Sequence, residues 1–412
     1  MPGPDGQVLL ACPAMAALRL RHAGAAVVAA LVVLPGSLGV AAAAGAGTPR
    51  SDRAPSAQLA PRDVARTAGG LRRAAPATAG SGWVGATTPA WVGVQYRGMW
   101  GDQTDRQRKQ MLDRLQAAGV EWLRVGVPWV MMQPRRPTAG DPGWASFAFE
   151  RLSHIVTWAK RRGMVVSGTF GRTPGWADGG LGDQYLPTDP QAFGRALAHV
   201  ARVFRGRINS WEIWNEPNND NYLQGATVPD YVRVLCSAHD AVKRAAPQAK
   251  IVAGGTSGND WEWYRALYRN GAKPCFDVAA THPYNSDRSP YFTPPSDIRG
   301  WFQNIRLVRR VMNHFSDSAT PVWFTEVGWS THPDPVGAGP RGVTPAEQAR
   351  YLTQLFRITH QRYPYVRRVS WYCDMDMTIS TEHKDSYGLF RLDRTPKPAY
   401  YALQAYTSHL RR

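Results

Sequence analysis

The sequence predicts an α/β protein built as a single (β/α)8 barrel of the TIM type. Eight short apolar runs, rich in β-branched and aromatic residues, alternate with eight amphipathic stretches from residue 91 onward. The rival fold is an open, doubly wound sheet, which usually carries a glycine-rich phosphate loop after an early strand. No loop of the GxGxxG or P-loop type is present in the sequence. These observations favour the barrel.

The apolar runs predict strands at Trp91–Gln95, Trp122–Val127, Met164–Thr169, Ile208–Trp214, Ile251–Gly254, Phe276–Thr281, Val322–Glu326 and Val369–Cys373. Apolar residues spaced three and four apart predict helices at Thr104–Ala118, Phe147–Arg162, Gln191–Phe204, Asp230–Ala245, Trp261–Asn270, Ile298–His314, Pro345–Gln361 and Pro398–Leu410. The seventh helix has a clear start, because Thr344 and Glu347 form a capping box around Pro345.

The first 44 residues are interpreted as a signal peptide. Arg19 and Arg21 precede an apolar run from Ala23 to Leu34, and the small residues Ala41–Ala44 offer a cleavage site. A permanent transmembrane anchor is the less favoured alternative, because the apolar run is short and interrupted. We therefore expect a secreted or cell-envelope protein without a transmembrane anchor in the mature chain.

The segment that follows the signal is predicted to be a linker. Residues 45–90 consist mainly of Ala, Pro, Gly, Ser, Thr and Arg, with few large apolar side chains. The alternating pattern begins only after this segment, so residues 91–412 are predicted to form one domain, the barrel.

The composition is globular and strongly basic. Hydrophobic residues make up 43% of the chain and charged residues 19%, which permits a large core and excludes wholesale disorder. The net charge of +18 indicates affinity for anionic polymers, such as an acidic cell-surface glycan. Nucleic acid is the competing partner, but zinc-finger spacing and ribonucleoprotein aromatic motifs are absent from the sequence, so no nucleic acid is expected.

Cysteine usage is compatible with an oxidising compartment. Cys12 lies in the predicted signal, which leaves Cys236, Cys275 and Cys373 in the mature chain. Cys236 and Cys275 are the favoured disulfide pair, although the spacing alone leaves the pairing open.

Two glutamates end predicted strands in aromatic surroundings. Glu216 closes the fourth strand in Trp211-Glu212-Ile213-Trp214-Asn215-Glu216-Pro217, and Glu326 closes the seventh in Trp323-Phe324-Thr325-Glu326. Side chains alternate along a strand, so Glu216 is expected to share its face with Trp214 and Glu212. Reacting groups of such barrels lie at the carboxyl ends of the strands. The pair therefore predicts a site in the barrel mouth.

Two carboxyl groups that face each other suit cleavage of a glycosidic bond. One must hold a proton for the leaving oxygen, while the other must be ionised to attack or to stabilise the oxocarbenium-like transition state. A separation of about 5–5.5 Å would indicate a covalent intermediate and retention of configuration. Glu212 is predicted to lie deeper in the barrel as a structural carboxylate, with Arg124 as its candidate partner.

The Trp214-Asn215-Glu216-Pro217 motif resembles the acid/base signature of clan A glycoside hydrolases. Residues 91–406 are most similar to the family 39 and family 5 group, which includes β-xylosidase-like and cellulase-like enzymes. Leu123-Arg124-Val125 on strand two, Thr281-His282-Pro283-Tyr284 after strand six and Trp371 on strand eight belong to the same resemblance. The resemblance implies a retaining hydrolase of O-glycosyl compounds.

The resemblance also implies roles for individual residues. Glu216 would be the acid/base and Glu326 the nucleophile. Asn215 would bond the sugar 2-hydroxyl. Tyr284 would donate to Glu326, while His282 would contact the acid/base or the sugar.

Further residues would support the site. Arg124 would place a positive charge beside Glu326, and Trp371 would form the floor under the sugar. Five residues on strand-end loops could contact sugar rings, with plain packing as the alternative for each: Phe170, Arg172, Trp176, Trp129 and Trp329. Asp374 and Asp376 lack further ligands nearby in sequence, so no metal and no cofactor are expected.

One departure concerns the end of strand three. Family 5 enzymes usually carry a histidine there, whereas this sequence has Gly168-Thr169-Phe170-Gly171-Arg172. The departure favours family 39-like proteins over cellulases and leaves the sugar open. Endo or exo action would depend on whether the loops near Asp178–Leu186 and Asp287–Pro295 leave a groove or close a pocket. The alternative functions are a catalytically silent carbohydrate-binding barrel of the cell wall and a wall-associated adhesive protein.

Overall fold

The computed structural model describes residues 91–100, 103–333, 342–377 and 383–410. These residues contain nine strands: β1 Trp91–Tyr96, β2 Trp122–Pro128, β3 Val165–Gly171, β4 Ile208–Ile213, β5 Lys250–Ala253, β6 Thr256–Ser257, β7 Ala279–His282, β8 Val322–Val327 and β9 Val366–Trp371. All eight predicted strands are found, with ends that differ by up to three residues. The predicted signal peptide and linker lie outside the described residues.

All of the strands pair in parallel in one curled sheet. The order is β5-β4-β3-β2-β1-β9-β8-β7-β6, so strands consecutive in sequence are neighbours, except that β5 and β6 lie at the two ends of the order and β1 pairs with β9. The two ends of the sheet meet at a parallel bridge between Val252 in β5 and Val278 just before β7. The predicted (β/α)8 barrel is thus confirmed, since this bridge joins the ends of the sheet.

The ninth strand arises because the fifth barrel strand is broken at Gly254-Gly255. The Gly254 amide donates to the Tyr231 hydroxyl at 2.7 Å, and the Gly255 amide donates to Glu212 Oε1 at 2.9 Å. The Gly255 carbonyl in turn accepts from the amide of Glu216 at 3.0 Å. The break diverts these backbone groups from strand pairing to Tyr231, to Glu212 of β4 and to Glu216 just after it.

Helices follow the strands on the outside of the sheet. The described helices are α1 Asp105–Ala117, α2 Trp129–Met132, α3 Ser146–Arg161, α4 Gly175–Asp178, α5 Pro190–Val203, α6 Val228–Ala245, α7 Trp261–Arg269, α8 Ile305–His314, α9 Pro345–Arg362 and α10 Pro398–Leu410. Short 3-10 turns lie at Lys273–Cys275, Phe302–Asn304 and His383–Asp385. The sixth predicted helix was too long at its start, because α8 begins only after the turn at Phe302–Asn304.

Side-chain caps begin several helices where the sequence predicts them. In α9 the Thr344 hydroxyl accepts from the Glu347 amide, and the Glu347 carboxylate accepts from the Thr344 amide, which confirms the predicted capping box. Thr104 begins α1 in the same way with Gln107. Each cap satisfies amides that the first turn of a helix leaves unpaired.

A disulfide joins Cys236 in α6 to Cys275 after α7, which is the favoured pair. The disulfide joins positions 39 residues apart and stabilises the fold by reducing the conformational entropy of the unfolded chain. Cys373 is buried and has no disulfide partner. Within the described ranges, none of the helices is long and apolar enough to cross a membrane.

Candidate active site

The end of β4 places two glutamates at different depths. Glu212 lies on β4 inside the barrel and is fully buried, whereas Glu216 follows the strand and is 6% exposed. Trp214 and Glu216 have positive φ angles of 72° and 46°, so the chain leaves the regular strand before it reaches Glu216. Such strained conformations are concentrated at functional sites.

Strand alternation therefore does not explain the direction of Glu216, and the predicted shared face with Trp214 is wrong. The Trp214 indole packs towards Phe193 of α5 and donates to the Tyr222 carbonyl at 3.0 Å. The left-handed turn, held by the Glu216 amide on the broken fifth strand, brings Glu216 to the mouth instead.

Arg124 of β2 connects the carboxylates. Its Nε donates to Glu212 Oε2 and its Nη1 to Glu326 Oε1, both at 2.5 Å. Its other donors reach Gln95 Oε1 at 2.7 Å and Asn215 Oδ1 at 2.9 Å. Burial opposes the charge of Arg124, but the two carboxylates outweigh it and raise the pKa above its ordinary value. The guanidinium therefore stays charged between them.

Glu212 is a structural carboxylate, as the sequence predicts. Besides Arg124 and the Gly255 amide, it accepts from the hydroxyls of Thr169 at 2.9 Å and Thr325 at 2.8 Å. Burial would raise the pKa of Glu212, but the charge of Arg124 outweighs it and holds the pKa well below its usual range. Glu212 is thus ionised and has no surface in contact with solvent.

Glu326 of β8 lies opposite Glu216 and has two donors. Arg124 donates to its Oε1, and the Tyr284 hydroxyl donates to its Oε2 at 3.0 Å. Tyr284 keeps its proton for this bond, because burial and the neighbouring carboxylate raise the pKa of the phenol well above its ordinary value. These two hydrogen bonds fix the orientation of the Glu326 carboxyl group.

His282 joins the two mouth carboxylates. Its Nδ1 lies 2.8 Å from Glu216 Oε1 and 3.7 Å from Glu326 Oε2. Burial lowers the pKa of His282, but Glu326, Glu212 and Glu216 outweigh it and raise the pKa from 6.5 to about 9. His282 therefore carries a proton at neutral pH, and its Nδ1 lies within hydrogen-bond distance of Glu216.

The side chains of Glu216, His282 and Glu326 are of the types that bind metal ions. Among the residues that the structure describes, Glu216, His282 and Glu326 are the one set of acidic, histidine or cysteine side chains whose ligand atoms lie within 4.8 Å of one another. Yet Arg124 already supplies the neutralising cation, and His282 bonds Glu216 directly. The donor set suits proton transfer between carboxylates better than coordination of an ion.

Most of the predicted aromatic platforms are packing residues. Phe170, Trp329 and Trp371 have no exposed surface, so the predictions of a sugar floor at Trp371 and of walls at the other two are wrong. Trp371 packs against Trp329 with ring centroids 6.0 Å apart. Large aromatic side chains fill the interior of a barrel, and sequence alone does not separate them from exposed ones. Trp176 is partly exposed and remains a candidate.

The partly exposed aromatic side chains near the two mouth carboxylates are mainly tyrosines. Tyr284, Tyr372 and Tyr387 contact one another edge to face, with centroids 5.5–6.3 Å apart, and each keeps part of its surface exposed. Tyr222, from the loop after β4, is also partly exposed, and the charges of Glu216 and Glu326 add to burial in raising its pKa. Sequence reasoning missed Tyr222, Tyr372 and Tyr387.

The barrel and its paired mouth carboxylates define the class of (β/α)8 glycoside hydrolases. The family model for cellulase (glycosyl hydrolase family 5) matches residues 80–354, and the chain belongs to this family. The match holds although the end of β3 lacks the histidine that the sequence comparison expected of family 5.

Curated relatives are named for a related activity. The chain is 22% identical over 320 residues to a beta-xylosidase of Caldicellulosiruptor saccharolyticus, covering 72% of this chain and 64% of the relative. It is 24% identical over 218 residues to a beta-xylosidase of Geobacillus stearothermophilus, covering 47% of this chain and 40% of that protein. The chain thus spans less than two thirds of either relative.

Solved structures share the fold. A family 39 glycoside hydrolase from Bacteroides cellulosilyticus superposes with a TM-score of 0.63 at 21% identity, covering 79% of this chain and 64% of that one. A GH5_18 protein from Streptomyces cattleya, solved in complex with GlcNAc, has a TM-score of 0.60 at 20% identity, covering 79% of this chain and 81% of that one. Both families in the sequence resemblance therefore have this architecture.

Proposed function

We propose that the protein is a retaining glycoside hydrolase that cleaves β-linked O-glycosidic bonds of an oligo- or polysaccharide. The observation that carries the proposal is the distance between the mouth carboxylates. An oxygen of Glu216 and an oxygen of Glu326 lie within 4.8 Å of each other. Retaining enzymes hold their two carboxyl groups about 5–5.5 Å apart, whereas inverting enzymes need room for a water molecule at about 6.5–9.5 Å.

The first step forms a glycosyl-enzyme. Glu326, kept ionised by Arg124 and Tyr284, attacks the anomeric carbon, and the bond from that carbon to the leaving oxygen breaks. The leaving oxygen takes the proton that Glu216 shares with His282. The positive charge of the oxocarbenium-like transition state develops beside the two carboxylates, which stabilise it.

The second step reverses the roles. Glu216, now without its proton, takes one from a water molecule, and the resulting hydroxide attacks the anomeric carbon. The bond to Glu326 breaks, the carboxylate returns to Arg124, and the sugar leaves with its original configuration. The balance needs water alone and no cofactor.

Asn215 is the proposed contact for the sugar 2-hydroxyl. Arg124 donates to its Oδ1 at 2.9 Å, which turns the amide nitrogen away from the guanidinium. The side chain is partly exposed next to Glu216, so this nitrogen is available as a donor at the mouth. A hydrogen bond there strengthens as charge develops on the sugar.

The tyrosines of the mouth support a carbohydrate substrate. Flat phenol faces stack on the C–H faces of sugar rings, and their hydroxyls bond sugar hydroxyls. The family and the named relatives make β-xylosides and β-glucosides the first substrates to test. A cell-wall or exopolysaccharide glycan is the proposed natural source.

A groove of about 340 Å³ on the loops after β3 and β4 supports a substrate longer than one sugar. Its lining includes Leu181, Tyr185, Gln224 and Arg233. Gln224 lies two residues along the chain from Tyr222, and the charges of the mouth carboxylates help to raise the pKa of the Tyr222 phenol. We include in the proposal that further sugar units of the substrate occupy this groove.

Export is part of the proposal. The Cys236–Cys275 disulfide supports it, because disulfides persist in oxidising compartments. The net charge of +18 supports retention at an anionic cell surface after export.

The test uses 4-nitrophenyl β-glycosides, including the xyloside and the glucoside, together with β-linked oligosaccharides. Glu326→Ala should abolish turnover, and Glu216→Ala with added azide should release a β-glycosyl azide. Glu262→Ala, an exposed glutamate in α7, is the matched control and should behave as wild type. Wild-type turnover in both mouth variants would contradict the mechanism. Binding of oligosaccharides without cleavage by the wild type would support the silent carbohydrate-binding barrel instead.

A further inference from the structure

The hydroxyl of Thr325 lies between a histidine and an ionised carboxylate. Its Oγ1 is 2.8 Å from Glu212 Oε1 and 3.1 Å from His282 Nε2. A hydroxyl has a single proton to donate. Glu212 is ionised beside Arg124 and only accepts, so the Thr325 proton goes to Glu212. The remaining lone pairs of Thr325 then require a proton on His282 Nε2.

An irregularity in β8 brings Thr325 to this place. Neighbouring residues of a regular strand point to opposite faces, yet Thr325 and Glu326 both reach the interior. The pairing of β8 with β9 shifts register between Phe324 and Val327, as expected at a β-bulge. Gly255 packs against the pair, and a Cβ there would lie 2.3 Å from His282 Nε2. The contact between Thr325 and His282 therefore depends on the backbone, through the bulge in β8 and the absence of a side chain at Gly255.

The direction of this hydrogen bond determines what His282 Nδ1 presents to Glu216. With Nε2 protonated, a neutral His282 has a bare lone pair at Nδ1, 2.8 Å from Glu216 Oε1. Two forms satisfy that contact. Either Glu216 is protonated and donates to Nδ1, or His282 is cationic and donates to the Glu216 carboxylate. Both forms hold one proton between the two residues.

Loss of that proton is unfavourable while Thr325 accepts from Nε2–H. The lone pair of His282 Nδ1 would then face the ionised carboxylate of Glu216. The alternative neutral tautomer, with the proton on Nδ1, would turn a bare Nε2 towards a hydroxyl that already donates to Glu212. We propose that Thr325 is a positioning residue for acid catalysis, which retains the proton of the Glu216–His282 pair by keeping His282 Nε2 protonated. This inference rests on the proposed function of Glu216 as the proton donor.

The other groups around His282 act in the same direction. Glu212 and Glu216 come from the fourth strand and its end, and Glu326 comes from β8, with oxygens 3.9, 2.8 and 3.7 Å from the ring nitrogens. Arg124 bonds both Glu212 and Glu326, and the neutral Tyr284 bonds Glu326. Replacing Thr325 leaves these charges in place, so its effect is separable from theirs.

The experiment compares Thr325→Val with Thr325→Ser on two aryl glycosides of the sugar that the wild type hydrolyses best. The phenyl glycoside needs a proton on its leaving group, whereas the 2,4-dinitrophenyl glycoside leaves without one. Thr325→Val should lower kcat/KM for the phenyl glycoside by up to about tenfold at pH values near and above the alkaline limb, and should spare kcat/KM for the dinitrophenyl glycoside. The alkaline limb of its kcat/KM profile should move down by about one pH unit. Thr325→Ser should restore both.

Three results would overturn the inference. They are an unchanged alkaline limb in Thr325→Val, an equal loss on both glycosides, and a Thr325→Ser variant that resembles Val. Thr359→Val, a buried threonine in α9, is the matched control and should behave as wild type.

A measurement on the wild type makes the test independent of whether the Thr325 variants fold. Nitrogen NMR of His282, assigned by comparison with His282→Gln, should show Nε2 protonated up to the alkaline limb. A bare Nε2 at neutral pH would refute the tautomer. If the tautomer holds but Glu216→Ala retains wild-type turnover of the phenyl glycoside, the proposed function fails and the hydrogen-bond assignment stands.

Discussion

His282 should make the stability of the protein depend on pH in the neutral to alkaline range. Its surroundings raise the pKa from 6.5 to about 9 in the folded state. At 1.36 kcal/mol for each pKa unit, this rise corresponds to about 3 kcal/mol of folding free energy. Because the folded-state pKa is the higher one, this contribution is fully present below pH 6.5 and is lost as the pH rises through about 9.

The perturbation is His282→Gln, which keeps a polar side chain but does not titrate. Urea unfolding of the wild type should show a fall of about 3 kcal/mol in the free energy of unfolding between about pH 6 and pH 10. His282→Gln should be less stable than wild type at pH 6 and should lack most of this fall. His409→Gln, an exposed histidine in the last turn of α10, should retain the wild-type fall.

Parallel curves for wild type and His282→Gln would refute the reasoning. They would mean that the carboxylates around His282 do not hold its proton more tightly in the folded than in the unfolded state. A rise in wild-type stability with pH over this range would give the opposite sign and would refute it as well.

Three further changes test other parts of the structure. Arg124→Lys keeps the charge but replaces a planar guanidinium that makes four hydrogen bonds with an ammonium that has three donors, so kcat should fall by at least about 10²-fold in the glycoside assay. Cys236→Ser opens the 39-residue loop and should lower the free energy of unfolding by about 3–4 kcal/mol in urea. Tyr185→Ala should raise KM for long oligosaccharides by about tenfold and leave 4-nitrophenyl glycosides unaffected.

Each of these changes has a result that would contradict it. Wild-type kcat in Arg124→Lys would mean that catalysis does not need a guanidinium between Glu212 and Glu326. Cys373→Ser is the control for the disulfide, since this thiol has no disulfide partner, and equal losses in both cysteine variants would point to packing instead. An equal change of KM for short and long substrates in Tyr185→Ala would place the groove outside the substrate path.

The periodicity of the chain was enough to predict the barrel. Strands such as Trp122–Pro128 are mostly apolar because both faces of a parallel strand are buried, and helices such as α9 carry their caps in the sequence. The break of the fifth strand was not predicted. A pair of glycines indicates a bend, but where the freed amides bond depends on Glu212 and Tyr231, which arrive from other elements.

The sequence by itself predicted that Glu216 and Glu326 come together, because both lie at or just after the carboxyl ends of strands in one parallel barrel and such ends meet at one rim. It also indicated that Arg124, His282 and Tyr284 belong with them. Only the tertiary structure decided which aromatic side chains reach the mouth. Trp371 and Tyr372 are adjacent in the sequence, yet Trp371 is buried and Tyr372 is partly exposed. The tertiary structure alone decided the place of Thr325 as well, because that contact depends on a shift of strand register and on donor directions set by four separate strands.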